Sequence, residues 1–185
     1  MDGEDGGAES NNGVTEAKIN LNITLKVQKL LEQSGCNVIL TRSDDNAIYD
    51  LDKETLKQKK VSDIKNRVKI GNDSSADIFV SIHLNKIPQP QYYGWQTFYK
   101  NENEKSQKLA SNIQNSLNGS IEKQNKRVPL KIDNVYIIKN VEIPTTIVEC
   151  GFLSNPEEEK QLLQDEYQDR IAWGIYIGIM GYFYE

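Results

Sequence analysis

Apolar residues recur at three- and four-residue intervals in several stretches of this chain and run together in short blocks between them. Residues 1–14 are acidic and glycine-rich and read as a loop. From Thr15 onward Ile19, Ile23, Val27, Leu30 and Leu31 mark one face of a helix that Thr15 can cap and Gly35 ends. The β-rich run Cys36–Leu40 predicts a strand, and Asp44–Lys53 a loop. Leu56, Val61, Ile64 and Val68 predict a second helix closing near Gly71. Ile78, Phe79, Val80 and Ile82 are apolar without alternation, as in a strand covered on both faces. After an irregular stretch with two prolines, Trp95–Tyr99 predicts a strand and Leu109, Ala110, Ile113 and Leu117 a helix. Val135–Ile138 and Thr145–Val148 read as two more strands. A short acidic helix follows Pro156 and carries Leu162 and Leu163; Tyr167, Ile171, Ile175 and Ile179 stripe the last helix. Helix and strand alternate throughout, which predicts a three-layer α/β sandwich with a mostly parallel central sheet flanked by helices.

Composition narrows the function. The 185 residues suit one domain, and 22 Lys+Arg against 27 Asp+Glu leave a net charge of −5. No basic cluster appears, so nucleic acid is not expected as a partner. The longest apolar stretch, Ile171–Phe183, is shorter than the roughly 20 residues that cross a bilayer, and no secretory signal or membrane span is expected in this chain. Cys36 and Cys150 are too few for a disulfide framework, so a hydrophobic core must hold the fold.

Two residues stand where α/β folds place chemistry, at the carboxyl ends of strands. His83, the single histidine, follows Ile78–Ile82, and Glu149 follows Thr145–Val148. A lone histidine is as readily structural as chemical, but a carboxylate leaving a buried strand is costly without a purpose. Glu16 lies in the first turn of its helix, where the dipole alone explains an acid; only a meeting with His83 gives it another role. Cys150 beside Glu149 reads as a small buried residue.

The string Glu4-Asp5-Gly6-Gly7-Ala8, the pair Thr15-Glu16, Leu40-Thr41-Arg42, Ser81-Ile82-His83-Leu84-Asn85 and Val148-Glu149-Cys150-Gly151-Phe152-Leu153-Ser154-Asn155 occur in an order that resembles the zinc-dependent N-acetylmuramoyl-L-alanine amidases, above all the single-domain spore-cortex (germination-specific) ones. The resemblance implies an amidase/phosphorylase-like fold in a single catalytic domain over residues 1–185, without the family's N-terminal strand and first metal-ligand loop. It implies Zn2+ held by Glu16 and His83, with Glu149 as the catalytic carboxylate. The family's first zinc histidine belongs to a Gly-His-Gly-Gly loop, and here those positions read Met1-Asp2-Gly3-Glu4, so the implied site is incomplete. Asn85 and Arg127 are the implied substrate-binding residues, with a strand-end turn and a plain surface arginine as the alternatives. The implied reaction cleaves the amide between N-acetylmuramic acid and L-alanine of peptidoglycan during sporulation and germination. It takes place outside the cytoplasmic membrane, in the wall or forespore envelope, with an activating protein partner. The alternative is an inactive, amidase-like wall-binding or regulatory protein.

Overall fold

Residues 7–184 are described in the computed structural model. Along the chain lie helices α1 (Glu16–Gln33) and α2 (Leu56–Asp73), strands β1 (Phe79–Asn85) and β2 (Gln96–Tyr99), and helix α3 (Glu104–Ser120). The two-residue strand β3 (Leu130–Lys131), helix α4 (Tyr136–Asn140), strand β4 (Thr145–Phe152) and helices α5 (Pro156–Leu162) and α6 (Asp165–Tyr184) complete it. The strands form one mixed sheet in the order β1-β4-β2-β3. β1 runs parallel to β4 and β2 parallel to β3, and the β2–β4 pair is antiparallel.

The layers follow from where the apolar stripes point. Ile19, Ile23 and Val27 of α1, Leu109, Ile113 and Leu117 of α3, and Ile171, Ile175 and Ile179 of α6 are buried in one core with Val148 and Cys150 of β4. On the opposite face a smaller cluster joins Val68 and Ile64 of α2 to Ile137, Val141, Ile143 and Phe79. α6 lies close against α3 because it carries glycine there: a Cβ on Gly178 would stand 2.4 Å from Ile113 Cα.

Several expectations are corrected. Val135–Ile138 is not a strand: Tyr136–Asn140 makes a single helical turn whose Ile137 and Ile138 are buried. A four-residue apolar run carries no period that separates the two states. Leu56 and Val61 are exposed at 63% and 45%, so the inward face of α2 is narrower than the spacing implies. That helix starts with a Thr55/Gln58 capping box and runs past Gly71, which packs its bare Cα against Phe79. Leu163 is exposed while Leu162 is fully buried.

Cys36–Leu40 also forms no strand. Gly35, at φ +82°, ends α1 as expected, with Cys36 N–H donating back to Leu31 O. The segment beyond it is separated from β1 by a groove of about 890 Å3. Phe79 N–H donates to Pro144 O across the sheet, so Ser81 and His83 also turn their amides toward β4. Val80 and Ile82 therefore turn their N–H and C=O groups into the groove. Among the described residues, no strand pairs with this edge.

Candidate active site

The carboxyl ends of β1 and β4 meet the amino end of α1. Thr15 occupies the cap position of α1, but its side chain makes no capping bond. The loop before it does that work: Glu16 N–H donates to Ala8 O at 2.8 Å, and the Glu16 Oε2 accepts Ala8 N–H at 2.6 Å. Oε1 accepts the Asn20 side-chain amide one turn on, at 3.0 Å. Glu16 is only 3% exposed, and a carboxylate so buried needs this set of donors together with the helix dipole.

The same Oε1 lies 3.0 Å from His83 Nδ1. Strand alternation puts Ser81 and His83 on one face of β1, and Ser81 Oγ lies 2.9 Å from His83 Nε2. The imidazole is thus held at both nitrogens. The serine hydroxyl serves either tautomer, donating when Nδ1 carries the hydrogen and accepting when Nε2 does.

Glu149 is the β4 partner of His83 in the parallel ladder. Its Oε2 is buried with no hydrogen-bond partner among the described residues. Burial raises the carboxyl; the His83 charge opposes this and the Glu16 charge adds to it, leaving the group pushed up to about 7. Such a carboxyl exchanges a proton near neutral pH, as general acid–base chemistry requires. The neighbouring Cys150 is fully buried, and burial together with the charges of Glu149, Glu158 and Glu16 pushes its thiol up, so it is a packing residue and not a nucleophile.

Imidazole nitrogen and carboxylate oxygen suit zinc, and two ligands on a tetrahedral ion stand about 3.3 Å apart. Glu16 Oε1 and His83 Nδ1 need to open by only a few tenths of an ångström from 3.0 Å to meet that. Catalytic zinc usually takes three protein ligands. Among the described residues no group of three or more potential ligands is assembled, so the pair fits in kind and spacing and supplies two donors. Met1–Glu4, where the sequence lacks the expected histidine, lies outside the described residues.

An aromatic and cationic wall lies near the carboxyl ends of β1 and β4. Asn85 lies where the β1–β4 register shifts, opposite Phe152, and its carbonyl accepts Leu153 N–H at 2.8 Å. The Arg127 guanidinium sits 4.9 Å from the Phe152 ring and 5.9 Å from the Tyr92 ring, and its Nε donates to Tyr93 O at 3.3 Å. Lys123 covers the Tyr93 ring at 4.1 Å. Asn85 and Arg127 therefore both adjoin Phe152, three residues beyond Glu149.

Glu158 is the residue that sequence reasoning missed. It is fully buried, its Oε1 accepts Gly94 N–H and its Oε2 accepts Phe152 N–H, each at 2.8 Å. Burial raises its carboxyl against the pull of these two amides and of Lys123 and Arg127. The signal lay in its spacing from Leu162, four residues on and also inward-facing.

The sequence pattern of the family described as N-acetylmuramoyl-L-alanine amidase matches residues 2–180. The chain is 36% identical over 183 residues to the germination-specific N-acetylmuramoyl-L-alanine amidase of Bacillus subtilis, covering 99% of this chain and 76% of that one. Its structure is similar to that of the CwlD amidase from Clostridioides difficile in complex with the GerS lipoprotein. The TM-score is 0.93 at 45% identity, over 96% of this chain and 91% of that one. The catalytic domain of CwlV, an N-acetylmuramoyl-L-alanine amidase from Bacillus (Paenibacillus) polymyxa, is similar with a TM-score of 0.83 and 29% identity, over 98% and 93% of the two chains.

Proposed function

The chain belongs to the N-acetylmuramoyl-L-alanine amidase family, and from that premise we propose that it cuts the amide joining the lactyl group of N-acetylmuramic acid to L-alanine in peptidoglycan. The proposed setting is spore-cortex maturation, in the cell wall outside the cytoplasmic membrane, a reading supported by similarity to an amidase named germination-specific. No helix among the described residues is long and apolar enough to cross a membrane. A protein partner belongs to the same proposal, because the similar CwlD amidase is found in complex with a lipoprotein.

The observation that carries the reading is the buried, unpartnered Glu149 carboxylate beside the Glu16–His83 pair. Glu16 and His83 are the residues that would hold zinc, with the remaining positions left to donors outside the described residues or to water. Zinc bound there supplies Lewis acidity for the amide carbonyl and for water. In the tautomer that would ligate through Nδ1, Ser81 Oγ would accept Nε2–H and leave the Nδ1 lone pair free. Glu149 takes a proton from the attacking water and returns it to the leaving α-amino group of L-alanine as the C–N bond breaks. Asn85 and the Arg127 wall hold the stem peptide, with Arg127 offering its free N–H groups to a carboxylate.

The test is mass spectrometry of purified muropeptides incubated with the chain and zinc. Release of peptides with a free L-alanine amino terminus, lost in Glu149→Gln and His83→Ala, is the expected result. Unchanged release by Glu149→Gln overturns the catalytic assignment. Saturable muropeptide binding with no release at any zinc concentration selects the non-cleaving, wall-binding reading.

A further inference from the structure

The peptide unit between Tyr93 and Gly94 is held on both sides. Its N–H donates to Glu158 Oε1 at 2.8 Å, and its C=O accepts Arg127 Nε at 3.3 Å. The other oxygen of Glu158 accepts the amide of Phe152, whose ring lies 4.9 Å from the Arg127 guanidinium. One carboxylate thus fixes both supports of Arg127, the carbonyl that accepts from it and the ring on which it stacks. Gly94 makes the close approach feasible, since it sits at φ +89° and a Cβ there would meet the Asn125 side chain at 3.1 Å. Asn125 in turn donates to Trp95 O at 2.7 Å and accepts Arg127 N–H at 3.2 Å, closing the loop.

We propose that Glu158 is a positioning residue for substrate recognition: buried and out of reach of the stem peptide, it sets the place of Arg127 by gripping the Gly94 and Phe152 amides. This rests on the reading that Arg127 meets a stem-peptide carboxylate. A glutamine at 158 keeps the shape but turns an NH2 group toward one of the two N–H donors, so one grip is lost and the charge that polarises the Tyr93–Gly94 peptide disappears. An aspartate keeps the charge but shortens the reach.

The experiment measures binding, so it does not depend on turnover. Isothermal titration of the chain with a muramoyl tripeptide carrying a free terminal carboxylate, and with its amidated counterpart, gives a discrimination ratio. In the unaltered chain the acid form binds about tenfold more tightly, as for a charge-assisted hydrogen bond at a partly solvated site. Glu158→Gln lowers that ratio to within about twofold while affinity for the amidated form holds, and Glu158→Asp restores part of it. A general packing defect weakens both ligands together and leaves the ratio alone. A folded Glu158→Gln chain with the original ratio overturns the proposal. Arg127→Ala separates the two readings, because a ratio unchanged there refutes the carboxylate contact itself. Should Glu158→Gln fail to fold, Glu158→Asp is judged by the same ratio.

Discussion

Replacing Glu149 with glutamine makes the chain more stable at alkaline pH and leaves it nearly unchanged in acid. The carboxyl is pushed from 4.5 up to about 7, chiefly by burial, so the folded chain binds a proton more tightly than the unfolded one. The favourable contribution is complete below about pH 4.5, declines as pH rises, and is gone above about pH 7. At 1.36 kcal/mol per unit the cost of the ionised carboxylate reaches about 3 kcal/mol, an upper figure for a residue that is not wholly enclosed. Glutamine removes that cost. For a chain of this length, about 3 kcal/mol moves Tm by roughly 6–12 °C. The assay is thermal unfolding of both chains in chelator between pH 4.5 and 8. The difference in Tm should grow from near zero at the acid end to several degrees at pH 8. Parallel curves, or a less stable variant at pH 8, would show that the buried carboxyl carries no such cost.

Three further outcomes follow from packing and pairing. Gly178→Ala forces α3 and α6 apart, since the new Cβ meets the Ile113 backbone; overpacking of about 1–3 kcal/mol should lower Tm by several degrees, and an unchanged melt would contradict the close approach. Amide exchange followed by NMR should be faster at Val80 and Ile82, which face the groove, than at Ser81 and His83, which face β4; equal protection would show that this edge is paired. Titration with a thiol reagent should modify one cysteine in the native chain and two in denaturant, because Cys150 is buried with its thiol pushed up and Cys36 is partly exposed. Two fast thiols in the native chain would remove Cys150 from the core.

The parts of this molecule that could be read in advance are those whose periodicity is long. The stripe Ile19–Leu31 and the stripe Tyr167–Ile179 each span several turns, and both helices formed with those faces inward. The apolar residues Ile78, Phe79, Val80 and Ile82 and the β-forming run before Glu149 put both residues on strands, but each strand continues past them, β1 to Asn85 and β4 to Phe152, so neither stands at a strand end as expected; the register sets them side by side. Short signals failed for physical reasons. Val135–Ile138 is too brief to carry a period, and Cys36–Leu40 has strand composition but pairs with no strand among the described residues. Thr15 has the chemistry of a cap, yet the returning Ala8–Glu9 segment took its place. The Arg127 wall was the least legible part. Its supports come from Tyr92, Tyr93 and Phe152, distant in sequence, and from a buried Glu158 that composition shows only as one acid in an acidic run.

Digestion of muropeptides with zinc in water enriched in oxygen-18 reports whether this site hydrolyses the muramoyl–L-alanine bond. One heavy oxygen is expected in the lactyl carboxyl of muramic acid, none in the released peptide, and no label from Glu149→Gln. Label in a stem-peptide carboxyl or at the sugar reducing end, or equal labelling by the variant, would contradict it.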